Sequence, residues 1–222
     1  DGAEKHRQPE LARQIGLAID NVHAPYGNTN ALWEDGIEGE AYLQTLLSCI
    51  GDCSLHGIPT SVVHITRLSI RPEVTRIGMD RVKRLGEFAE QKQVNLAIEN
   101  LNSIPHLDRI YAELSSERLG FCYDSGHEHF IHPNADCLSR YGNKLFAVHL
   151  HDNCGDSDAH LLPYDGTIEW DAVRTKLKAC REIPYLTLEV DFKREHPKSA
   201  LYRGLSAAEF LALAYARLQL LA

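Results

Sequence analysis

No stretch of the 222-residue sequence reaches the ~18 consecutive apolar residues that a membrane-spanning helix needs, and no secretory hydrophobic region opens it. A basic excess is missing too. Lys and Arg number 23 against 31 Asp and Glu, for a formal charge of −8. Duplex-DNA binders present a basic face, so this balance argues against nucleic acid as the partner and leaves only a local basic patch open. None of the six cysteines forms a CxxC pair. Cys49 and Cys53 stand four apart on an expected helix, and Cys122, Cys137, Cys154 and Cys180 are scattered. That pattern reads as small buried apolar residues in a reducing cytosol. There is no linker, low-complexity run or second composition zone, so the expectation is a single cytoplasmic domain over residues 1–222. The first residue is Asp rather than Met, which fits a trimmed or partial start.

What is present is an ordinary soluble composition, 44% hydrophobic and 24% charged, enough for a sizeable core. Twelve histidines are less ordinary, and most fall where strands are expected to end. Helical spacing predicts helices near residues 4–14, 38–56, 77–92, 105–115, 134–140, 169–181 and 206–220, the last with Ser206 as N-cap. Between them lie "LAIDNVHAPYG", "TSVVHIT", "VNLAIEN", "LGFCYDSGH", "LFAVHLHDN" and "YLTLEV". Strands alternating with helices imply βαβ units and a mostly parallel sheet.

The strand phases choose the architecture. Side chains at i and i+2 of a strand share a face. Leu96 and Ile98 oppose Ala97 and Glu99; Phe121 and Tyr123 oppose Cys122 and Asp124. Phe146, Val148 and Leu150 oppose Ala147, His149 and His151; Leu186 and Leu188 oppose Thr187 and Glu189; Val63 and Ile65 oppose Val62 and His64. One face is bulky and apolar, and the other ends in a polar, ligand-type residue. A doubly wound sheet covers both faces with helices and wants both apolar. The pattern therefore predicts an α/β (β/α)₈ TIM barrel whose polar residues gather at the C-terminal rim. Six strands are evident, so one or two N-terminal strands are expected to be lacking, truncated or unrecognised.

The inward strand-end set is His23, His64, Glu99, Asp124, His149 and Glu189. Mixed carboxylate and imidazole donors suit a divalent ion such as Mn²⁺, Mg²⁺, Co²⁺ or Zn²⁺. Without a cation, three carboxylates converging in a barrel mouth would repel one another.

The segments "AIEN", "CYDSGH", "VHLHDN", "DAHLLPYDGTIEW" and "LEV" resemble the xylose-isomerase-like TIM-barrel superfamily over most of the chain, from His23 to Glu189. That superfamily holds sugar and sugar phosphate isomerases and epimerases, inosose-type dehydratases and endonuclease IV-type enzymes. The resemblance implies one metal bound by Glu99, Asp124, His149 and Glu189, with Glu99 and Glu189 as the catalytic pair. A carboxylate would move a proton next to the substrate carbonyl, through a metal-stabilised enediolate. The substrate would be a small sugar, polyol or sugar phosphate. His127 resembles the family's substrate-contacting histidine.

A second resemblance is to the AP endonucleases, which hold three zinc ions through nine positions. Candidates stand at all nine: His23, His64, Glu99, Asp124, His127, His149, Asp158, His160 and Glu189. Three close ions suit phosphodiester cleavage of abasic DNA. The acidic charge and the lack of Arg- or aromatic-rich loops for gripping a bent duplex weigh against it, and sugar-type relatives carry pocket histidines at the extra positions. A dehydratase on the same metal and a non-catalytic sugar-binding barrel are further alternatives; a homo-oligomer is left open. Ketose 3-epimerases carry an Arg shortly after the metal histidine; "LHDNCGDSDAH" has none, which puts that substrate class in doubt. Arg67 and Lys193 are the nearby cations, each read more readily as solvated surface.

Within "AVHLHDN", His149 sits at the depth of the other ligands. His151 is expected one pleat further out, at the rim, as pocket wall, substrate contact or additional metal ligand. Asp152 is expected to orient a neighbouring histidine. Gly166 is read as letting backbone approach a ligand, Trp170 as a core residue opening a helix, and Pro25, Tyr26 and Trp33 as pocket walls or packing. His6, His56, His106, His129, His132 and His196 are read as surface or loop residues.

Overall fold

The computed structural model describes residues 2–192, 200 and 202–222, which leaves Lys193 and His196 outside the described residues. Most helices and strands lie where the periodicity predicts them. The order is α1 (Gly2–Gln14), β1 (Asn21–His23), α2 (Ile37–Leu55), β2 (Thr60–Val63), α3 (Arg76–Lys92), β3 (Asn95–Glu99), α4 (Ile104–Glu113) and β4 (Leu119–Asp124). There follow α5 (Ser125–Ile131), α6 (Cys137–Tyr141), β5 (Leu145–His149), α7 (Trp170–Lys178) and α8 (Ala207–Gln219). Among the described residues no helix is long and apolar enough to cross a membrane. The chain resolves into two compact units, Asp1–Glu99 with Ser103–Phe121, and Asn100–Asn102 with Cys122–Ala222.

In the first unit β1, β2 and β3 pair in parallel and in sequence order. The register sets His23 level with Val62 and Val62 level with Ala97. His64 and Glu99 therefore lie one pleat beyond that row, on the same face. Helix α2 buries Tyr42, Leu43, Leu46, Cys49, Ile50 and Cys53, a stripe at three- and four-residue spacing. Each such aliphatic contributes roughly 1.5–3 kcal/mol by leaving water. Thr75 caps α3 by accepting from the Gly78 amide at 3.2 Å. Trp33 is a packing residue: it is 1% exposed and donates its indole N–H to the Ile65 carbonyl at 2.6 Å. Arg81 is 4% exposed and donates to the carbonyls of Ala31 and Leu32 at 3.2 and 2.9 Å, so it ties down the 29–33 turn. Arg67, in contrast, is an exposed side chain bound to the Gly27 carbonyl.

His106 departs from the surface reading. It lies on α4, is 0% exposed, and meets the Trp33 ring edge-on at a centroid distance of 4.3 Å. Burial, aided by the charge of Arg71, pushes its pKa down to about 4. The folded protein thus holds this ring neutral, while an unfolded chain protonates it near the usual 6.5. Its stabilising effect is complete above that value and is lost as pH falls from 6.5 through about 4. The loss amounts to about 2–3 kcal/mol. His106→Gln is expected to flatten the fall of urea midpoint between neutral and acid pH; an unchanged slope would disprove this account.

In the second unit β5 is followed by the 150–170 loop, α7, the 184–190 stretch and α8. The strand expected in "YLTLEV" is reduced to one parallel bridge, Leu150↔Leu188. The Leu150 amide to the Thr187 carbonyl (2.9 Å) and the Glu189 amide to the Leu150 carbonyl (3.1 Å) make that bridge. Ala159, Leu161, Leu162, Tyr202, Phe210 and Ala214 form its core under α8. Ser206 caps α8 as expected, in a reciprocal capping box with Glu209. Helix α5 was not foreseen, since "SGHEHFI" carries no apolar period. It starts because the Asp124 carboxylate accepts from the His127 amide at 2.6 Å.

Candidate functional site

In the first unit the strand ends bring His23, His64 and Glu99 together, with one ligand-type atom of each within 4.8 Å of the others. The His23 Nδ1 lies 2.8 Å from the Ala24 carbonyl, which only accepts, so Nδ1 carries the proton and Nε2 faces the cluster. His23 Nε2 is 3.4 Å from Glu99 Oε2, His64 Nε2 is 3.2 Å from Glu99 Oε1, and the two Nε2 atoms are 3.2 Å apart. Tyr26, 62% exposed, packs its ring against both imidazoles and walls the cluster toward solvent.

In the second unit Asp124, His149 and Glu189 each direct a donor atom to a common point, again within 4.8 Å. Asn100 fixes the β4 end by accepting from the Asp124 amide at 2.6 Å and donating to its carbonyl at 2.8 Å. His149 Nδ1 is 3.2 Å from Glu189 Oε2, and that oxygen is buried without a hydrogen bond to any described residue. A second knot adjoins it. His151 Nε2 lies 3.1 Å from Asp124 Oδ1 and 3.7 Å from Asp158 Oδ1, and His127 Nε2 lies 3.8 Å from Asp158 Oδ1. His160 Nε2 is 3.1 Å from Asp158 Oδ2, and its ring stacks on His151 at 4.0 Å.

Charge in this knot follows from contact. Burial alone would destabilise the His160 cation, but the hydrogen bond and charge of Asp158 outweigh it and raise the His160 pKa. Burial likewise opposes the Asp158 anion, and the hydrogen bond from His160 with the charges of His127 and His160 lowers its pKa overall. Facing lone pairs on carboxylates and imidazoles are what a divalent ion would satisfy. The donor sets present therefore fit a metal.

Two expectations change here. His151 is not at a rim: it is 0% exposed. The chain after it turns back through the antiparallel bridge Asp152↔Leu161 and covers it. Ser125 fixes its backbone, donating to the His151 carbonyl at 2.8 Å and accepting from its amide at 3.0 Å. Among the described residues Asp152 orients no histidine. Its Oδ1 accepts from the amides of Asn153 and Ile168 at 2.9 and 3.1 Å, and its Oδ2 from the Tyr164 amide at 3.0 Å and the Trp170 indole at 2.7 Å. Gly166 serves the same knot: a Cβ there would overlap the Asp152 carboxylate and the Asn153 carbonyl. Trp170 is buried at the start of α7, as expected. The supports Asn100, Ser125 and Asn153, the last donating its side-chain amide to the Gly126 carbonyl at 2.8 Å, escaped the sequence reading, since nothing but their position beside the expected ligands marks them.

A family model described as "Xylose isomerase-like TIM barrel" matches residues 5–208. The uncharacterized protein y4fM of Sinorhizobium fredii is 37% identical over 111 residues, covering 47% of this chain and 36% of that protein. This chain spans only 36% to 40% of the length of the curated relatives it matches. Among solved structures, the IOLI protein with a bound zinc atom superposes with a TM-score of 0.73 at 18% identity, over 96% of this chain and 80% of that one. D-psicose 3-epimerase, solved in the presence of D-fructose, also gives 0.73, at 15% identity, over 99% of this chain and 83% of that one.

Proposed function

Because the chain belongs to the xylose isomerase-like TIM-barrel family, we propose that it is a divalent-metal-dependent isomerase or epimerase of a small sugar, polyol or sugar phosphate. The observation that carries this reading is the convergence of Asp124, His149 and Glu189. In this reading these three hold the ion, and the sequence resemblance adds Glu99 as a further ligand. Sugar epimerases among the structural neighbours support the substrate class.

Bound there, a divalent ion supplies a Lewis acid that polarises substrate oxygens. The rest of the chemistry belongs to side chains of this protein. Glu189, whose side chain is 38% exposed, has the reach of a general base toward a proton beside the carbonyl. Glu99 is the partner carboxylate that the resemblance implies for returning the proton. His127 is proposed to position substrate hydroxyls, and the buried His151 to hold Asp124 in place.

The test is metal counting by mass spectrometry on protein purified without chelator, combined with deuterium uptake from heavy water into a panel of ketoses and polyol ketones. One divalent ion per chain with uptake is expected. Glu189→Gln is expected to lower turnover by about 10²–10⁴-fold while the fold survives. No stoichiometric metal, or full turnover in that variant, would sink the reading. The clusters His23–His64–Glu99 and His151–Asp158–His160 favour one alternative, a zinc phosphodiesterase acting on abasic DNA. Three zinc ions per chain and nicking of an abasic duplex would establish it in place of the first.

A further inference from the structure

We propose that His160 is a positioning residue for Glu189, acting through the backbone of the 189–191 stretch rather than through its Nε2. The inference rests on the reading of Glu189 as metal ligand and proton-transfer group.

Glu189 leaves the chain from a segment with few backbone ties. Upstream, two backbone hydrogen bonds around Leu150 hold it, and Leu188, Val190 and Phe192 pack on the core under α8 without reaching the Glu189 carbonyl's hydrogen bond. Downstream, His160 grips it twice. Its Nδ1 lies 2.8 Å from the Glu189 carbonyl, and its own carbonyl accepts from the Asp191 amide at 3.3 Å. A carbonyl only accepts, so Nδ1 must carry the proton and donate. The Cα–Cβ direction follows from the backbone, so fixing the Glu189 carbonyl sets where the side chain starts and limits the positions its carboxylate can reach. His160 in turn is held hard. Its ring lies flat on His151, with 3° between the planes. Its backbone is left-handed, with φ +48°, a region that few non-glycine residues occupy outside sites that determine it strongly.

The two ring nitrogens have separable jobs, and amide side chains separate them. Asn places an amide N–H near where Nδ1 sits, and Asn also tolerates the left-handed region. Gln reaches toward the Nε2 position instead and cannot make the grip. Gly relieves the backbone and has no side chain, so it controls for strain in the Gln variant.

Two measurements on the whole chain test this. Hydrogen exchange of the Glu189 and Asp191 amides reads the grip without any metal. His160→Asn is expected to keep wild-type protection, while His160→Gln and His160→Gly lose about tenfold or more. Co²⁺ titration followed by its visible absorption reads the consequence at Glu189. Affinity is expected to hold in His160→Asn and to fall about 10–100-fold in the Gln and Gly variants, the usual cost of losing a residue that orients a ligand. If protection is the same in Asn, Gln and Gly variants, the grip is refuted. Equal loss of Co²⁺ in all three would place the role in Nε2 and overturn the proposal too. If wild type takes up no Co²⁺ while exchange still separates Asn from Gln, the grip stands and the metal reading of Glu189 is what fails.

Discussion

Asp152→Ala is expected to cost the second unit about 3–5 kcal/mol, the range for stripping the partner from buried, charge-assisted hydrogen bonds. The carboxylate is 0% exposed, and both of its oxygens accept two N–H donors. Deleting it leaves those four donors facing one another across a hole. The replacement Asp152→Asn is the sharper experiment. It keeps the volume and one acceptor oxygen, but sets an amide N–H against the donors that now face one carboxylate oxygen. Loss close to that of the Ala variant is expected. Tyr164, left-handed at φ +74°, gives its amide to the Asp152 side chain, so the carboxylate stands in for a backbone acceptor at that point of the 152–170 loop. Urea midpoints read by fluorescence decide the matter: a cost below about 1 kcal/mol, the worth of an ordinary hydrogen bond, would show that the loop is held by other means.

Gly126→Ala is expected to destabilise the protein and to weaken the metal binding proposed for the second unit. At most helical positions this exchange is favourable by up to about 1 kcal/mol. Here the added methyl would overlap the His151 ring, so the sign reverses. The ring has nowhere to retreat. One face is covered by His160, its Nε2 sits between the carboxylates of Asp124 and Asp158, and its backbone is tied to Ser125. Overpacking of this kind costs about 1–3 kcal/mol or more, and it displaces the groups that would meet the ion. Thermal melting and Zn²⁺ titration of the variant check both halves. A variant with unchanged melting and affinity would mean that the knot yields more readily than its contacts allow.

Much of this was legible in the sequence, because strand phase is a local property. The two-residue period of "NLAIEN" puts Ala97 and Glu99 on one face, and the register with β2 then carries His64 to the same side. The depth of His149 followed from the same count. What could not be read depended on chain returning from a distance. His151 shares its strand face with His149, and only the fold-back of the 152–170 loop turns a rim position into a buried one. Asp152 looked like a partner for histidine because it stands beside two of them. Its actual partners lie up to eighteen residues downstream, in backbone amides and the Trp170 indole, which no local side-chain pattern advertises. His106 looked like a loop residue until Trp33, from another segment, closed over it. The "YLTLEV" stretch kept its alternation but pairs through a single bridge, since pairing depends on neighbours and not on the alternating residues themselves.

The chain has two tryptophans, and one lies in each unit: Trp33 behind the Ile65 carbonyl, Trp170 on the Asp152 carboxylate. Nature has thus placed one intrinsic fluorophore in each half. Trp33→Phe leaves an emission that follows only the loop and α7, and Trp170→Phe leaves one that follows only the α2–α3 side. Coincident melting in the two single-tryptophan proteins would make the chain one cooperative block, and separated melting would make it two. The same pair of signals shows which half responds when a divalent ion is added.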